Sequence, residues 1–131
     1  MLLNLENRVM ELVLQQKCCA QIIMQVGLEI RQSENVELTQ AMKGLCYGLY
    51  CQHDCGALSG GACLLALFNE TYAPLLIREL VAWFSGKYGS VCCEEIIGQG
   101  YRASDKCLKI ISETCRQCFE ILERNNLLEE T

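Results

Sequence analysis

Between Leu5 and Arg31 the apolar positions Val9, Leu12, Val13, Cys19, Ile22, Ile23, Val26 and Ile30 recur at three- and four-residue steps. That spacing gathers them on one side of a helix and predicts a single long helix over the whole stretch, with Gly27 as the place where it bends. The next four residues, Arg31 to Glu34, are polar. Asn35, a residue type that caps helix starts, then predicts a second helix through Leu38, Ala41, Met42, Leu45 and Leu49. Within it Gly44 and Gly48, four apart, predict a smooth face for close helix packing. Tyr50 to Asp54 breaks the pattern, and a third helix follows from near Cys55 to Phe68. Thr71 or Ala73 is expected to cap a fourth helix through Leu76, Leu80, Trp83 and Phe84, with Pro74 in its first turn and Gly86 to Gly89 at its end. Ser90 caps a short fifth helix, Val91 to Ile97, that Gly98 closes. Gly98 to Ala103 reads as a loop, and Ser104 as the cap of a last helix carrying Leu108, Ile111, Cys115, Cys118, Phe119 and Leu122. No segment alternates with the period of two that strands require, and no repeat is evident. The expected architecture is all-α, one cysteine-rich domain over residues 1–131, built as a bundle of five to six helices.

Composition narrows the function. A chain with 51% hydrophobic residues and one proline has an apolar core and is not disordered. The net charge of −5 and the lack of any basic stripe exclude nucleic acid as an expected partner, because binding a polyanion needs clustered Lys and Arg. The longest uncharged run, Cys55 to Phe68, has 14 residues, whereas a span needs about 20, so a buried helix is expected and no membrane span. Met1 to Gln16 carries Glu6, Arg8 and Glu11 among its leucines and lacks the features of an export signal.

Eleven cysteines are the outlier, and the number is odd. A secreted disulfide scaffold pairs its thiols, so a cytoplasmic location is expected. With a single histidine, no Ser/His/Asp set and no Gly-rich phosphate motif, sulfur is the main route to chemistry. Cys55, Cys93 and Cys107 fall at the predicted starts of three helices, where unpaired N–H groups and the helix dipole favour a thiolate, while Cys19 falls mid-helix. The small residues Gly56, Ala57, Ser59 and Gly60 are expected to leave space around the Cys55 sulfur for a cluster, a substrate or a second helix.

Those residues carry a resemblance. Cys55-Gly56-Ala57-Leu58-Ser59-Gly60 is preceded by Cys19-Ala20-Gln21 and followed by Cys93-Glu94-Glu95-Ile96-Ile97-Gly98 and Cys107-Leu108-Lys109-Ile110-Ile111. Together they resemble the C-GCAxxG-C-C family of redox-active proteins over nearly the whole chain. The resemblance implies a small helical protein that uses Cys19, Cys55, Cys93 and Cys107 for electron transfer, as ligands of an Fe–S cluster, or for thiol/disulfide exchange. Gly56, Ala57 and Gly60 would then provide room for the bound group. Its expected partner is another redox protein or an oxidoreductase. The doublets Cys18/Cys19 and Cys92/Cys93 leave the choice within each pair open.

The remaining cysteines have a plainer explanation. Buried free cysteine behaves as a small hydrophobe, so Cys46, Cys63, Cys115 and Cys118 are expected to fill the core. Cys115-Arg116-Gln117-Cys118 has the spacing of a redox or zinc pair but lacks a second such pair to complete four ligands. His53, between Cys51 and Cys55, is either one member of a Cys-x-His-x-Cys metal corner or a solvent-facing loop residue. Tyr47, Tyr50, Tyr88 and Tyr101 are read as packing. Two other functions remain in play: a non-catalytic helical interaction module, and a structural zinc-binding domain. The surplus of apolar residues also admits a homodimer.

Overall fold

A computed structural model describes residues 4–98 and 105–128. It is all-α, with seven α-helices among the described residues. In chain order these are α1 (Leu5–Leu14), α2 (Cys19–Ile30), α3 (Val36–Ala41), α4 (Gly56–Phe68), α5 (Ala73–Tyr88), α6 (Cys93–Ile97) and α7 (Asp105–Arg124). Gly98 is the last residue described before the gap, so the predicted Gly98–Ala103 loop, the Ser104 cap and Tyr101 lie outside the described residues.

The single long helix expected over Leu5–Arg31 is two helices. α1 closes with Gln16 in the left-handed region at φ 66°. Gln16 N–H donates to Val13 O at 2.9 Å and Lys17 N–H to Leu12 O at 3.0 Å, so the turn ends α1 before α2 begins. α2 then starts at Cys19, where the Gln21 side-chain oxygen accepts from Cys18 N–H (3.2 Å) and its amide donates to Thr39 O (3.2 Å). Glutamine carries none of the preference glycine has for a left-handed stop, and the apolar phase happens to continue across the turn. Gly27 sits inside α2 without ending it, against the Leu64 side chain of α4.

Asn35 caps α3, its side chain accepting from Leu38 N–H at 3.0 Å. The predicted second helix stops early, however. A 3₁₀ turn occupies Met42–Leu45, and Tyr47, Gly48, Leu49, Tyr50 and Gln52 then all have positive φ, between 54° and 62°. Gly44 has open space around it and Gly48 sits in this left-handed stretch, so the pair forms no helix-packing face. For non-glycine residues that conformation costs roughly 1–2 kcal/mol each, so the surroundings must hold the segment.

The other starts and stops follow ordinary capping chemistry. Asn69, rather than Thr71 or Ala73, organises the entry to α5 by accepting from Tyr72 N–H at 2.9 Å, and Pro74 takes its place in the first turn. Gly89, at φ 81°, ends α5. Ser90 accepts from Cys92 N–H at 3.0 Å and donates to Glu95, which sets α6 to begin at Cys93 instead of Val91.

α2 and α4 form the centre of the bundle. A β-carbon at position 60 would lie 2.9 Å from Ala20 Cα, so only glycine lets these two backbones approach so closely. α7 packs across α1, α2, α4 and α5, burying Ile111, Cys115, Cys118, Phe119, Ile121 and Leu122. Phe68 meets Phe119 edge-on at 5.6 Å, and Arg31 lies over Phe68 while donating to Leu67 O at 3.2 Å. No helix among the described residues is long and apolar enough to cross a membrane.

Candidate functional site

Four helices turn their N-termini toward one cavity. Cys19 is the first residue of α2, Cys55 immediately precedes α4, Cys93 opens α6 and Cys107 lies in the first turn of α7. Splitting the expected long helix is what moves Cys19 from mid-helix to a helix start. All four cysteines line a partly open cavity of about 50 Å³ whose walls are otherwise mostly apolar, including Val13, Ile22, Ile96 and Ile111, with Tyr47 and Lys17.

Local backbone bonding explains how distant sulfurs meet. Cys55 N–H donates to Val91 O at 2.8 Å and Cys93 N–H to His53 O at 2.6 Å, an isolated antiparallel bridge centred on Asp54 and Cys92. This clip sets the starts of α4 and α6 side by side. Of the Cys92/Cys93 doublet, Cys93 faces the cavity, while the Cys92 thiol donates to Gln52 O at 3.4 Å and borders a separate surface pocket with His53.

The other doublet shows something the sequence did not predict: Cys18 is joined to Cys46 by a disulfide, with their Cα atoms 6.0 Å apart. Cys18 also lines the cavity, so four thiols and one disulfide share it. Cys46, expected only to fill the core, is buried but bonded. Nothing at a separation of 28 residues marks such a pair in advance.

The small residues after Cys55 serve helix packing. A β-carbon at position 56 would stand 2.5 Å from Cys19 Sγ and 2.7 Å from Leu45 O, and position 60 is occupied by the α2 backbone. Gly56 and Gly60 therefore make room for α2 and its cysteine. Ala57 is buried and lines the cavity.

Burial outweighs the helix dipole in setting the charge of these thiols. It pushes the Cys55 thiol up to about 12, against opposing hydrogen bonds from the Leu58 and Ala57 backbone. Burial likewise raises Cys19, opposed by the Tyr47 and Ala20 backbone, and Cys93, opposed by a hydrogen bond from Gln52. Thiolates here also repel one another: Cys107 raises Cys19 and Cys93, and Cys19 raises Cys55. Cys19, Cys55 and Cys93 thus rest as neutral thiols, where helix starts alone would predict thiolates.

Elsewhere the cysteines divide. Cys115 and Cys118 are buried in α7, with Cys115 pushed up to about 12 by burial and Cys118 well above its usual value for the same reason. Cys118 donates to Gly61 O at 3.7 Å. Cys63, expected in the core, is exposed on α4, and Cys51 is exposed as well. His53 is a solvent-facing loop residue.

Four cysteine sulfurs suit zinc or an iron–sulfur cluster by donor type. Among the described residues no three His, Cys, Asp or Glu side chains stand where they could hold a single metal ion together.

A family model described as "Putative redox-active protein (C_GCAxxG_C_C)" matches residues 17–121. The chain belongs to the C-GCAxxG-C-C family. No curated protein and no solved structure matches it. The C-GCAxxG-C-C name gives the order Gly-Cys-Ala, and here Ala57 and Gly60 keep that register while the two residues before them read Cys55-Gly56. The motif sulfur therefore sits at the N-cap of α4, one residue earlier than the name places it, and position 56 is left as the contact with Cys19.

Proposed function

We propose that this C-GCAxxG-C-C protein carries out thiol/disulfide exchange with another redox protein, using Cys19, Cys55, Cys93 and Cys107 as one set. The supporting observation is the single cavity, which four thiols and a disulfide line together. Two thiols of the set become a disulfide as the partner's disulfide becomes two thiols, so two electrons and two protons pass to the partner. Burial that raises Cys19, Cys55 and Cys93 slows their reaction with casual oxidants, since the thiolate is the nucleophile. Attack begins when the partner or a rise in pH removes a proton.

Purification without oxygen, an absorbance spectrum and iron and zinc analysis test the choice of chemistry. The expected product is colourless and metal-free, with thiols that a disulfide reagent oxidises in pairs. Stoichiometric iron or zinc lost in the Cys→Ser variants of the four positions would overturn this reading in favour of a cluster or a structural zinc domain. If serine at all four positions changed stability alone, an interaction module would replace both.

A further inference from the structure

We propose that the Cys18–Cys46 disulfide is a redox-controlled latch that holds Tyr47, near the head of the segment 46–52, against the thiol cavity, and that a dithiol reductant opens it by attacking Cys18.

Three observations converge on this segment. Its first residue, Cys46, is tethered to the start of α2 through Cys18. The next residue, Tyr47, forms part of the cavity wall, and its backbone N–H donates to the Cys19 sulfur. The run that follows holds Tyr47, Leu49, Tyr50 and Gln52 at positive φ, a conformation such residues keep only where the surroundings impose it. The far end of the segment is bonded to the α6 region, with the Gln52 amide donating to Gly98 O at 2.6 Å and the Cys92 thiol donating to Gln52 O at 3.4 Å. Leu49 and Tyr50 are exposed, whereas Cys46 is fully buried, so release draws the Cys46 end out of its buried place while the middle of the segment already faces solvent. Fixed at the α6 end and latched at the α2 end, it acts as a flap whose release uncovers Cys19.

The sulfur that a reductant reaches is set by burial. Cys18 is half-buried on the cavity wall, whereas Cys46 is fully buried. One thiolate of the external dithiol attacks Cys18 Sγ, forming a mixed disulfide and expelling Cys46 as a thiolate that takes up a proton. The second thiol of the reductant then attacks its own neighbour's sulfur in the mixed disulfide and releases Cys18 as a thiol. Overall, two electrons and two protons pass to the protein, the Cys18–Cys46 bond breaks, and the reductant leaves as a disulfide.

The latch rests on reading the cavity as a thiol site, but its test measures access and is independent of whether the four thiols change oxidation state. The oxidised protein, the same protein reduced with dithiothreitol, and a Cys46→Ser variant are pulsed with N-ethylmaleimide, and each cysteine is quantified by mass spectrometry. Cys19 alkylation is expected to rise by at least about tenfold in the reduced protein and the variant, as for a local opening, while Cys63 stays equally fast and Cys118 stays protected. Equal Cys19 rates in oxidised and reduced protein would overturn the latch, as would a denatured oxidised protein with all eleven thiols free. Should Cys46→Ser unfold the chain, the reduced wild type decides. If Cys118 there labels as fast as Cys19, the bond is a global staple and the latch is wrong.

Discussion

The charge state of Cys55 sets the pH behaviour of the site. Its thiol is pushed up to about 12 by burial, from an ordinary value of 9.0. Cys115 shifts the same way. In these groups the folded state holds a proton that the unfolded state has already lost, so their contribution to stability is complete below about pH 9 and is lost as pH rises toward about 12. Denaturant midpoints are expected to fall steadily across that window, and replacing Cys55 and Cys115 with Ala should flatten the decline. An unchanged slope in the double variant would contradict the assignment. Gly60 offers a second single-residue test. Its missing side chain is filled by Ala20 Cα at 2.9 Å, backbone that cannot rotate aside. Gly60→Ala is therefore expected to destabilise by about 1–3 kcal/mol, the usual cost of overpacking, measured by urea unfolding; a neutral result would mean α2 and α4 are not so close.

Among the elements, the readable ones were those whose ends carry a dedicated residue. Asn35, Pro74, Gly89 and Gly98 all act where the periodicity puts them. The α1–α2 break was illegible because its left-handed stop is Gln16, a residue with no such preference, and the apolar spacing runs on across it. Helix α2 ends the same way at Gln32, and α7 is followed by Asn126 in that conformation. The error had a consequence for chemistry, since it hid the fact that Cys19, like its three companions, lies at a helix start. The Cys18–Cys46 bond was illegible for another reason: pairing depends on where the short turn Met42–Leu45 delivers the chain, and no local pattern encodes that. Cys63 was misplaced because α4 is apolar nearly all round, which leaves periodicity no power to say which face is buried. Gln21 is the element-scale test. It joins the start of α2 to Thr39 O, next to the latch, so Gln21→Ala is expected to cost about 1–2 kcal/mol as a lost cap and a broken buried hydrogen bond. Thermal unfolding reads that loss, and an unchanged midpoint would remove Gln21 from the support of the site.

For the molecule as a whole, the bundle brings to one cavity sulfurs that the chain spreads from residue 18 to residue 107. The family is described as one of redox-active proteins, and the proposal assigns that activity to the cysteines that line the cavity. Of the remaining thiols, the buried pair on α7 and the exposed Cys51 and Cys63 serve as internal controls. The most direct test equilibrates the protein in a series of reduced and oxidised dithiothreitol ratios, quenches with acid, and quantifies every cysteine by differential alkylation. The account predicts that two members of the set Cys19, Cys55, Cys93 and Cys107 oxidise together in a two-electron step, changing tenfold per about 30 mV, while Cys63 keeps its thiol throughout. Four cavity thiols that stay reduced across the series, or that oxidise no more readily than Cys63, would contradict it.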